Sequence, residues 1–458
     1  METQTWLVWC LALMLTACQT DLTTTDTAPG PEMSTSAVAG ALQVEPDLDL
    51  ASPTELRLVD GQLADVLVTL REDLDDAPDD AVLQARVAAS QARVLAALSG
   101  DHARVLRRYR LVPALALRVG KDALARLRAL PDVEVVTADR MLRTDALPAT
   151  VVQATAAHDK LGLWGSGVRI AVIDSGVDLT HPDLVGRVAA QRCFDHSGCP
   201  GSGKTVGASA QDQNGHGTHV ASLLVGAGKV APQGIAPGSK LVAVRVFGKG
   251  GSGPTSDVLA GLDWVAQNAK SLGVRVVNLS LGGEETFSGT CDKADPATAK
   301  AVQLLRSKGV AVFAAAGNAT KTNRLSSPAC LTGVISVGAT YTASYGPQSF
   351  GSLCSDKLTG TTRMACFSNR SAALDLVAPG AFLTGAGLGG GAVVMAGTSQ
   401  ATPVAAGIGA LLMGCKPTLT PDALQAALQK SAKPIADPVS GRVYPLVQAV
   451  AAAALVCP

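Results

Sequence analysis

The sequence predicts an α/β protein whose main domain is a doubly wound, mostly parallel sheet with helices on both faces. A small α+β unit of the ferredoxin-like type precedes it. Two observations support this fold class. After about residue 150, short β-branched apolar runs alternate with stretches of helical periodicity, which is typical of a parallel sheet covered on both faces. Before it, the patterns follow the order β-α-β-β-α-β, that of a split βαβ sandwich.

Composition supports a folded protein without a nucleic-acid partner. The 458 residues allow two or three domains. Lys+Arg and Asp+Glu both count 38, so the formal net charge is zero and no global attraction to nucleic acid is expected. Apolar residues make up 47% and charged residues 17%, which excludes disorder for most of the chain. No apolar run reaches the roughly 18 residues that a membrane-spanning helix needs.

The N-terminus carries a targeting pattern. An apolar run from Trp6 to Leu15 ends in Leu15-Thr16-Ala17-Cys18, which resembles a bacterial lipobox. We therefore predict a signal peptide over residues 1–18, lipidation of Cys18, and export to the cell envelope or the medium. The segment before Trp6 lacks the usual Lys or Arg, and cleavage nearby with an incidental Cys18 is the alternative. Residues 19–55, rich in Thr, Ser and Pro, are predicted to form a flexible tether.

Two folded units are predicted beyond the tether, at residues 56–145 and 146–458. The first contains strand and helix patterns at 63–70, 80–98, 105–120, 122–130 and 133–138. The second contains apolar strands at 168–174, 241–246, 274–281, 310–316 and 333–339, with helical stretches that include 256–271 and 296–308. Sites on parallel sheets gather at the carboxyl ends of the strands.

Cysteine usage agrees with export. Beyond Cys10 and Cys18, eight cysteines remain and no CxxC pair indicates a zinc site. Disulfides are the better interpretation, although eight cysteines allow 105 connectivities. We predict pairing between nearest neighbours: Cys193 with Cys199, Cys291 with Cys330, Cys354 with Cys366, and Cys415 with Cys457.

Four residues supply the parts that acyl transfer from an amide requires: a nucleophile, a base, a group that orients the base, and an oxyanion donor. Asp174 ends a predicted strand and is followed by Ser-Gly. His216 lies between glycines at the start of an apolar helix, and Ser399 begins a second one. Asn318 follows a buried strand directly. Each residue alone is weak evidence, because a strand-end Asp or a Ser near a helix start is usually structural.

The motifs around these residues, in their order, are similar to those of subtilisin-family serine endopeptidases. The matching blocks are VIDSGVDLTHPDL, NGHGTHVAS, VNLSLGG, AAAGN and GTSQATP, and the resemblance covers about residues 150 to 440. It implies Asp174 as the orienting acid, His216 as the general base and then acid, and Ser399 as the nucleophile. It also implies an oxyanion hole formed by Asn318 and the backbone N–H of Ser399.

Substrate is expected to bind as an added strand. The resemblance implies that two segments offer their backbone to an extended peptide, namely Gly251-Ser252-Gly253 and Ser280-Leu281-Gly282-Gly283. Ala315 and Gly317 belong to the same predicted cleft. Glycine and alanine would leave the primary pocket roomy and apolar, so broad cleavage after large apolar or aromatic residues is expected. These glycines also fit a simpler role in turns and packing.

The unit at 56–145 resembles the inhibitory propeptide of this family, which assists folding and blocks the cleft until the linking bond is cut. A sheet with distant strand pairings folds slowly, so a preformed surface would help it to condense. The resemblance therefore implies a self-processing zymogen with a cleavage between about Arg140 and Val151. If only the propeptide carries lipid, cleavage would free the protease unless the two fragments stay bound.

Some positions depart from the family pattern. Gln400 and Val404 stand where the family commonly has Met and His, and the stretch from Tyr341 to Cys366 is longer than usual. No cofactor is expected for catalysis. Calcium is left open: Asp183 matches a position that often supplies a carboxylate, Tyr341 replaces a calcium-binding Asp of some relatives, and no complete ligand set is visible.

Three rival functions are weighed against this one. Residues 198–205 formally match the P-loop pattern, but the polar, glycine-interrupted sequence after Lys204 does not predict the helix that a nucleotide site needs. A catalytically silent lipoprotein could use the same cleft to bind peptides or a host partner. A processing enzyme with strict specificity is the narrower alternative. The expected partners are protein substrates and the chain's own propeptide, with membrane contact only through an N-terminal lipid.

Overall fold

The computed structural model describes residues 42–43, 62–72, 79–100, 103–138 and 147–457. The predicted signal peptide with Cys18 lies outside these residues, as does most of the predicted tether and of the predicted processing segment. The chain divides into Met1–Ala37 and Val38–Pro458, and all the described residues belong to the second unit. In the described part of the chain, no helix combines the length and apolar character needed to cross a membrane.

The first folded part of the chain is an antiparallel sheet with two helices. After a two-residue strand β1 (Leu42–Gln43), its elements are β2 (Ala64–Leu70), α1 (Asp80–Ala97), β3 (Ala103–Arg108), β4 (Ala114–Val119), α2 (Lys121–Ala129) and β5 (Val133–Ala138). The side chain of Asp79 caps α1 by accepting the N–H of Val82 at 2.9 Å. The strand order β3-β4-β2-β5 is that of a ferredoxin-like sandwich, as predicted.

The second folded part begins with helices α3 (Pro148–Val151) and α4 (Ala154–Leu161). Its strands are β6 (Arg169–Asp174), β7 (Val188–Phe194), β8 (Val206–Gly207), β9 (Lys240–Arg245), β10 (Val274–Leu279), β11 (Thr286–Phe287), β12 (Ala311–Ala315), β13 (Leu325–Ser326), β14 (Val334–Tyr341), β15 (Gln348–Phe350), β16 (Cys354–Asp356), β17 (Leu376–Ala381), β18 (Leu383–Ala386), β19 (Ala392–Ala396), β20 (Lys433–Asp437) and β21 (Arg442–Leu446). Its further helices are α5 (His216–Val225), α6 (Thr255–Leu272), α7 (Pro296–Ser307), α8 (Thr398–Cys415), α9 (Pro421–Lys430) and α10 (Ala449–Val456).

The main sheet confirms the predicted α/β class. Within the described residues it has ten strands in the order β20-β21-β17-β14-β12-β10-β6-β9-β7-β8. The strands from β21 to β7 pair in parallel, and the short edge strands β20 and β8 pair antiparallel. The chain winds from β6 toward β9 on one side and toward β10 on the other. The carboxyl ends of β6 and β10 therefore lie where strand order reverses, the usual place for a site in such folds.

Successive side chains along each strand pack alternately into two hydrophobic cores. On β6, Ile170 and Val172 belong to one core, whereas Ala171 and Ile173 belong to the other. The first core also contains most of α8, and the second contains the apolar faces of α6 and α7. This division is what a parallel sheet with helices on both faces requires.

Four disulfides join the predicted pairs of cysteines. They link Cys193 to Cys199, Cys291 to Cys330, Cys354 to Cys366, and Cys415 to Cys457. A separate small sheet is formed by β18 and β19, with β1 paired antiparallel to Met395 and Ala396 on the outer edge of β19. One short piece of the predicted tether is therefore a strand, because it completes the free edge of this hairpin.

Candidate active site

Asp174 and His216 are in direct contact. Asp174 is the fully buried last residue of β6, and its Oδ1 accepts a hydrogen bond from Nδ1 of His216 at 2.7 Å. The same oxygen accepts the N–H of Ser175 at 2.7 Å. A Cβ atom at Gly217 would lie 2.2 Å from the carbonyl oxygen of Gly176, so only glycine lets the helix that begins with His216 approach this closely.

The environment of His216 favours the protonated imidazole. Burial lowers the pKa of His216, but the attraction and hydrogen bond of Asp174, aided by the charge of Asp212, outweigh burial and raise the pKa above its usual value. The bond to Asp174 fixes the imidazole with Nδ1 protonated and leaves Nε2 as a base. Nε2 is buried and has no hydrogen-bond partner among the described residues.

Ser399 is the second residue of α8 and is 2% exposed. Its carbonyl oxygen accepts the hydroxyl of Ser280 at 2.7 Å, which attaches the start of α8 to the segment that follows β10. Helices α5 and α8 pack against each other, so His216 and Ser399 lie at the first turns of two neighbouring helices. The positive end of the α8 dipole lies at this first turn, where it stabilises negative charge.

Asn318 is oriented by the residue before Ser399. Its Oδ1 accepts both the N–H and the hydroxyl of Thr398, each at 2.9 Å. The Thr398 hydroxyl also accepts the N–H of Gly317 at 3.1 Å. Because Oδ1 is occupied by these two donors, the Nδ2 group of Asn318 is left to donate elsewhere. Thr398 was not among the predicted site residues, although its position beside Ser399 was visible in the sequence.

The predicted substrate segments lie before α6 and at the ends of β10 and β12. Gly251 has a φ of 71° and precedes Ser252, Gly253 and helix α6. Ser280 through Gly283 follow β10, and the N–H of Gly283 donates to the carbonyl of Ser327 at 2.9 Å. Ala315 is the last residue of β12. Leu281 is buried, whereas Gly283 is exposed.

Ser326 lies between two of these segments and was missed by sequence reasoning. A Cβ atom at Gly282 would be 3.1 Å from the Cβ of Ser326, and one at Gly317 would be 2.4 Å from its hydroxyl oxygen. The N–H of Ser326 donates to the carbonyl of Ala316 at 3.1 Å. This residue therefore borders both the Gly282 and the Gly317 segments.

Asp212 is a second buried carboxylate close to His216. It accepts hydrogen bonds from the loop before α5 and from the first turn of that helix. An acidic residue shortly before a helix start is a capping signal that the sequence did contain. His219 lies one turn further along α5 and is buried. Burial lowers its pKa to about 4, and its Nε2 contacts the carbonyl of Leu383 at 3.0 Å.

The residues considered for calcium do not fit that ion. The carboxylate of Asp183 accepts backbone N–H groups from Lys229, Val230 and Ala231. Calcium needs six to eight oxygen ligands, whereas the groups around this carboxylate are hydrogen-bond donors. The buried Tyr341 donates its hydroxyl to Asp356 at 2.5 Å instead of offering a carboxylate.

Another group of possible metal ligands is committed to other contacts. Asp195, His196 and Asp257 bring ligand atoms within 4.8 Å of one another in the described part of the chain. However, Asp195 already accepts two hydrogen bonds from the buried guanidinium of Arg245, at 3.0 and 3.2 Å. A cation there would compete with that ion pair.

Two further sequence features can now be located. The P-loop-like residues 198–205 form the turn between β7 and β8, and the next helix along the chain begins only at His216. They therefore lack the strand–loop–helix geometry of a nucleotide site.

Gln400, which departs from the family pattern, is fully buried, and its Nε2 contacts Sδ of Met395 at 3.8 Å.

An Asp–His pair, a serine at the start of the neighbouring helix and an oriented amide are the components of a serine hydrolase. Residues 165–445 match the model of the subtilase family. The chain is 35% identical over 429 residues to the extracellular serine proteinase of Thermus sp. (strain Rt41A), covering 90% of this chain and 94% of that protein. The chain belongs to the subtilase family and is a serine endopeptidase that needs no cofactor for catalysis.

Two further proteins are similar to this chain. Subtilisin Savinase of Lederbergia lenta is 38% identical over 268 residues, which cover 58% of this chain and 83% of that protein. The crystal structure of a cold adapted subtilisin-like serine proteinase is 32% identical, with a TM-score of 0.48 over 63% of this chain and 90% of that one.

Proposed function

We propose that this chain is an exported endopeptidase in which Asp174, His216 and Ser399 form the catalytic triad. The observation that carries the proposal is the 2.7 Å bond between Asp174 and Nδ1 of His216, which leaves Nε2 on the other side of the ring with no hydrogen-bond partner in the described part of the chain. The nucleophile is Ser399, at the first turn of the helix packed against that of His216.

In this mechanism, Nε2 of His216 takes the hydroxyl proton of Ser399 while Oγ attacks the scissile carbonyl carbon. Asp174 stabilises the imidazolium that forms. Nδ2 of Asn318 and the N–H of Ser399 donate to the oxyanion. His216 then passes its proton to the leaving amine, and the C–N bond breaks to give an acyl-enzyme. Water attacks the ester by the reverse proton transfers and frees Ser399.

The substrate binds as an extended strand along Gly251–Gly253 and Ser280–Gly283, through backbone hydrogen bonds. The side chain before the cleaved bond enters the space bordered by Gly282, Gly317 and Ser326. The small residues there support a preference for large apolar or aromatic side chains with broad tolerance elsewhere. Profiling with a peptide library tests this specificity, and strict dependence on one residue would favour a dedicated processing enzyme.

The ferredoxin-like unit acts as an inhibitory propeptide that Ser399 removes by cleavage between about Arg140 and Val151. Its separate core and ordered sheet support an autonomous unit of this kind. Export is supported by the N-terminal signal pattern and by the disulfides, and anchoring follows from lipid on Cys18. Ser399→Ala should accumulate as an unprocessed precursor, and detergent partitioning of the wild-type fragments identifies which one carries lipid.

A serine-directed phosphonate tests the central proposal. The processed wild-type protein should be labelled once, and both labelling and peptide hydrolysis should vanish in Ser399→Ala. Processed protein that neither reacts with the phosphonate nor cleaves peptides would exclude this mechanism and favour a peptide-binding protein.

A further inference from the structure

Asp212 gathers the backbone donors on both sides of His216. Its side chain is buried, and Oδ1 accepts the N–H of Asn214 at 2.8 Å and of Gly215 at 3.1 Å. Its Oδ2 accepts the N–H and the hydroxyl of Thr218, at 3.0 and 2.6 Å. The first N–H groups of a helix lack partners within the helix, so this one carboxylate fixes the turn on which the imidazole is carried.

A further hydrogen bond joins the same carboxylate to the strand that carries Asp174. The hydroxyl of Ser175 donates to Oδ1 of Asp212 at 3.0 Å and accepts the N–H of Gly217 at 2.9 Å. Ser175 follows Asp174 directly, and Gly217 follows His216 directly. Ser175 and Asp212 therefore hold the neighbours of both members of the Asp–His pair together.

We propose that Asp212 is a positioning residue for the catalytic pair, holding His216 against Asp174 and stabilising positive charge on the imidazole. The inference rests on the proposed function of the triad. The contacts fix the backbone on both sides of the histidine. Burial lowers the pKa of His216, and the charges of Asp174 and then Asp212 raise it.

The other charged or titratable groups around this helix do not substitute for Asp212. His219, one turn along α5, is kept neutral near pH 7 because burial lowers its pKa to about 4. Arg245 on β9 donates to the carbonyl of Gln211 but is paired with the buried Asp195. The buried Asp178 also reaches this helix, because its N–H donates to the hydroxyl of Thr218, but its carboxylate accepts from Thr180, Gln211 and Gly389. It is not placed to replace the Asp212 charge.

The test is Asp212→Asn in the full chain, with active enzyme counted by phosphonate titration. We expect kcat to fall on the order of 10- to 100-fold with little change in KM, because a misplaced base impairs proton transfer more than binding. The acid limb of kcat/KM should move to lower pH. A variant with kcat within about twofold of wild type and an unmoved acid limb would overturn the inference.

Two further variants separate positioning from general destabilisation. Asp178→Asn removes another buried carboxylate, which bonds to Thr180 and Gly389, and should leave the acid limb in place. Ser175→Ala keeps the Asp212 charge but removes one of its hydrogen bonds, so kcat should fall while the midpoint of the acid limb stays unchanged. If Asp212→Asn fails to fold, an unchanged kcat in Ser175→Ala would contradict the positioning role. Loss of hydrolysis in the wild type would instead refute the proposed function itself.

Discussion

Thr398 and Asn318 are joined by two hydrogen bonds, from the N–H and the hydroxyl of Thr398 to Oδ1 of Asn318, both 2.9 Å long. The residue immediately before Ser399 thus determines which end of the amide is available to a substrate. In the proposed mechanism, an amide held in advance of the reaction needs no reorganisation when the oxyanion forms.

Asn318→Ala should therefore lower kcat by about 10²–10³-fold with little effect on KM, the range found when one oxyanion donor is removed from a protease of this family. Steady-state kinetics on a chromogenic peptide measure this. Thr398→Val should lower kcat less, because it removes one of the two bonds that orient the amide, and Thr398→Ser should be close to wild type. A kcat for Asn318→Ala within a few-fold of wild type would contradict the role of the amide.

The pH dependence of activity follows from the Asp174–His216 bond. The base must be neutral to accept the serine proton, so activity falls as pH drops through the pKa of His216. Since burial is outweighed by Asp174 and Asp212 and this pKa is raised, the midpoint of the acid limb of kcat/KM should lie above 6.5.

The variant Asp174→Asn tests whether the Asp174 charge sets the midpoint of the acid limb of kcat/KM. It removes the charge that raises the pKa and favours the wrong tautomer, so kcat should drop by about 10⁴-fold and the residual acid limb should move to lower pH. A pH–rate profile records both changes, and a wild-type midpoint at or below 6.5 would disagree with the observed environment of His216.

Replacing Ser326 should change the preference for the residue before the cleaved bond. Ser326 is 4% exposed and borders both Gly282 and Gly317, so Ser326→Leu should fill the space between these segments. The ratio of kcat/KM for a peptide with Phe before the cleaved bond to that for a peptide with Ala should fall at least tenfold, as a steric block of about 1.4 kcal/mol would give. An unchanged ratio would locate the primary pocket elsewhere.

The four disulfides should differ in their contribution to stability. The Cys415–Cys457 bond spans 42 residues and the Cys193–Cys199 bond spans 6. In the chain-entropy model, loss of the longer loop costs about 4 kcal/mol and loss of the shorter about 2 kcal/mol. Urea unfolding of Ser399→Ala precursors, with each pair changed to alanine, compares the two without autolysis. An equal or reversed order would show that native-state effects dominate.

The sequence by itself determined the fold class and placed Asp174, His216, Ser399 and Asn318 near strand ends and helix starts, because these features are written in local patterns. The nearest-neighbour pairing of cysteines was one choice among 105 connectivities, and the tertiary structure decided for it. Strand and helix periods depend on neighbouring residues, and the motifs flank their functional residues directly. The α/β fold and the membership of the family are confirmed, whereas the catalytic roles remain predictions.

Only the tertiary structure decided how distant residues support that site. Thr398 orients Asn318 across 80 positions, and Asp183 binds the backbone of residues 229–231 instead of serving calcium. Ser326 borders both Gly282 and Gly317, and the carboxylate of Asp212 accepts the hydroxyl of Ser175 across 37 positions. These contacts depend on which strands become neighbours in the sheet and on how closely loops approach at their ends, and neither is encoded in a short stretch of sequence.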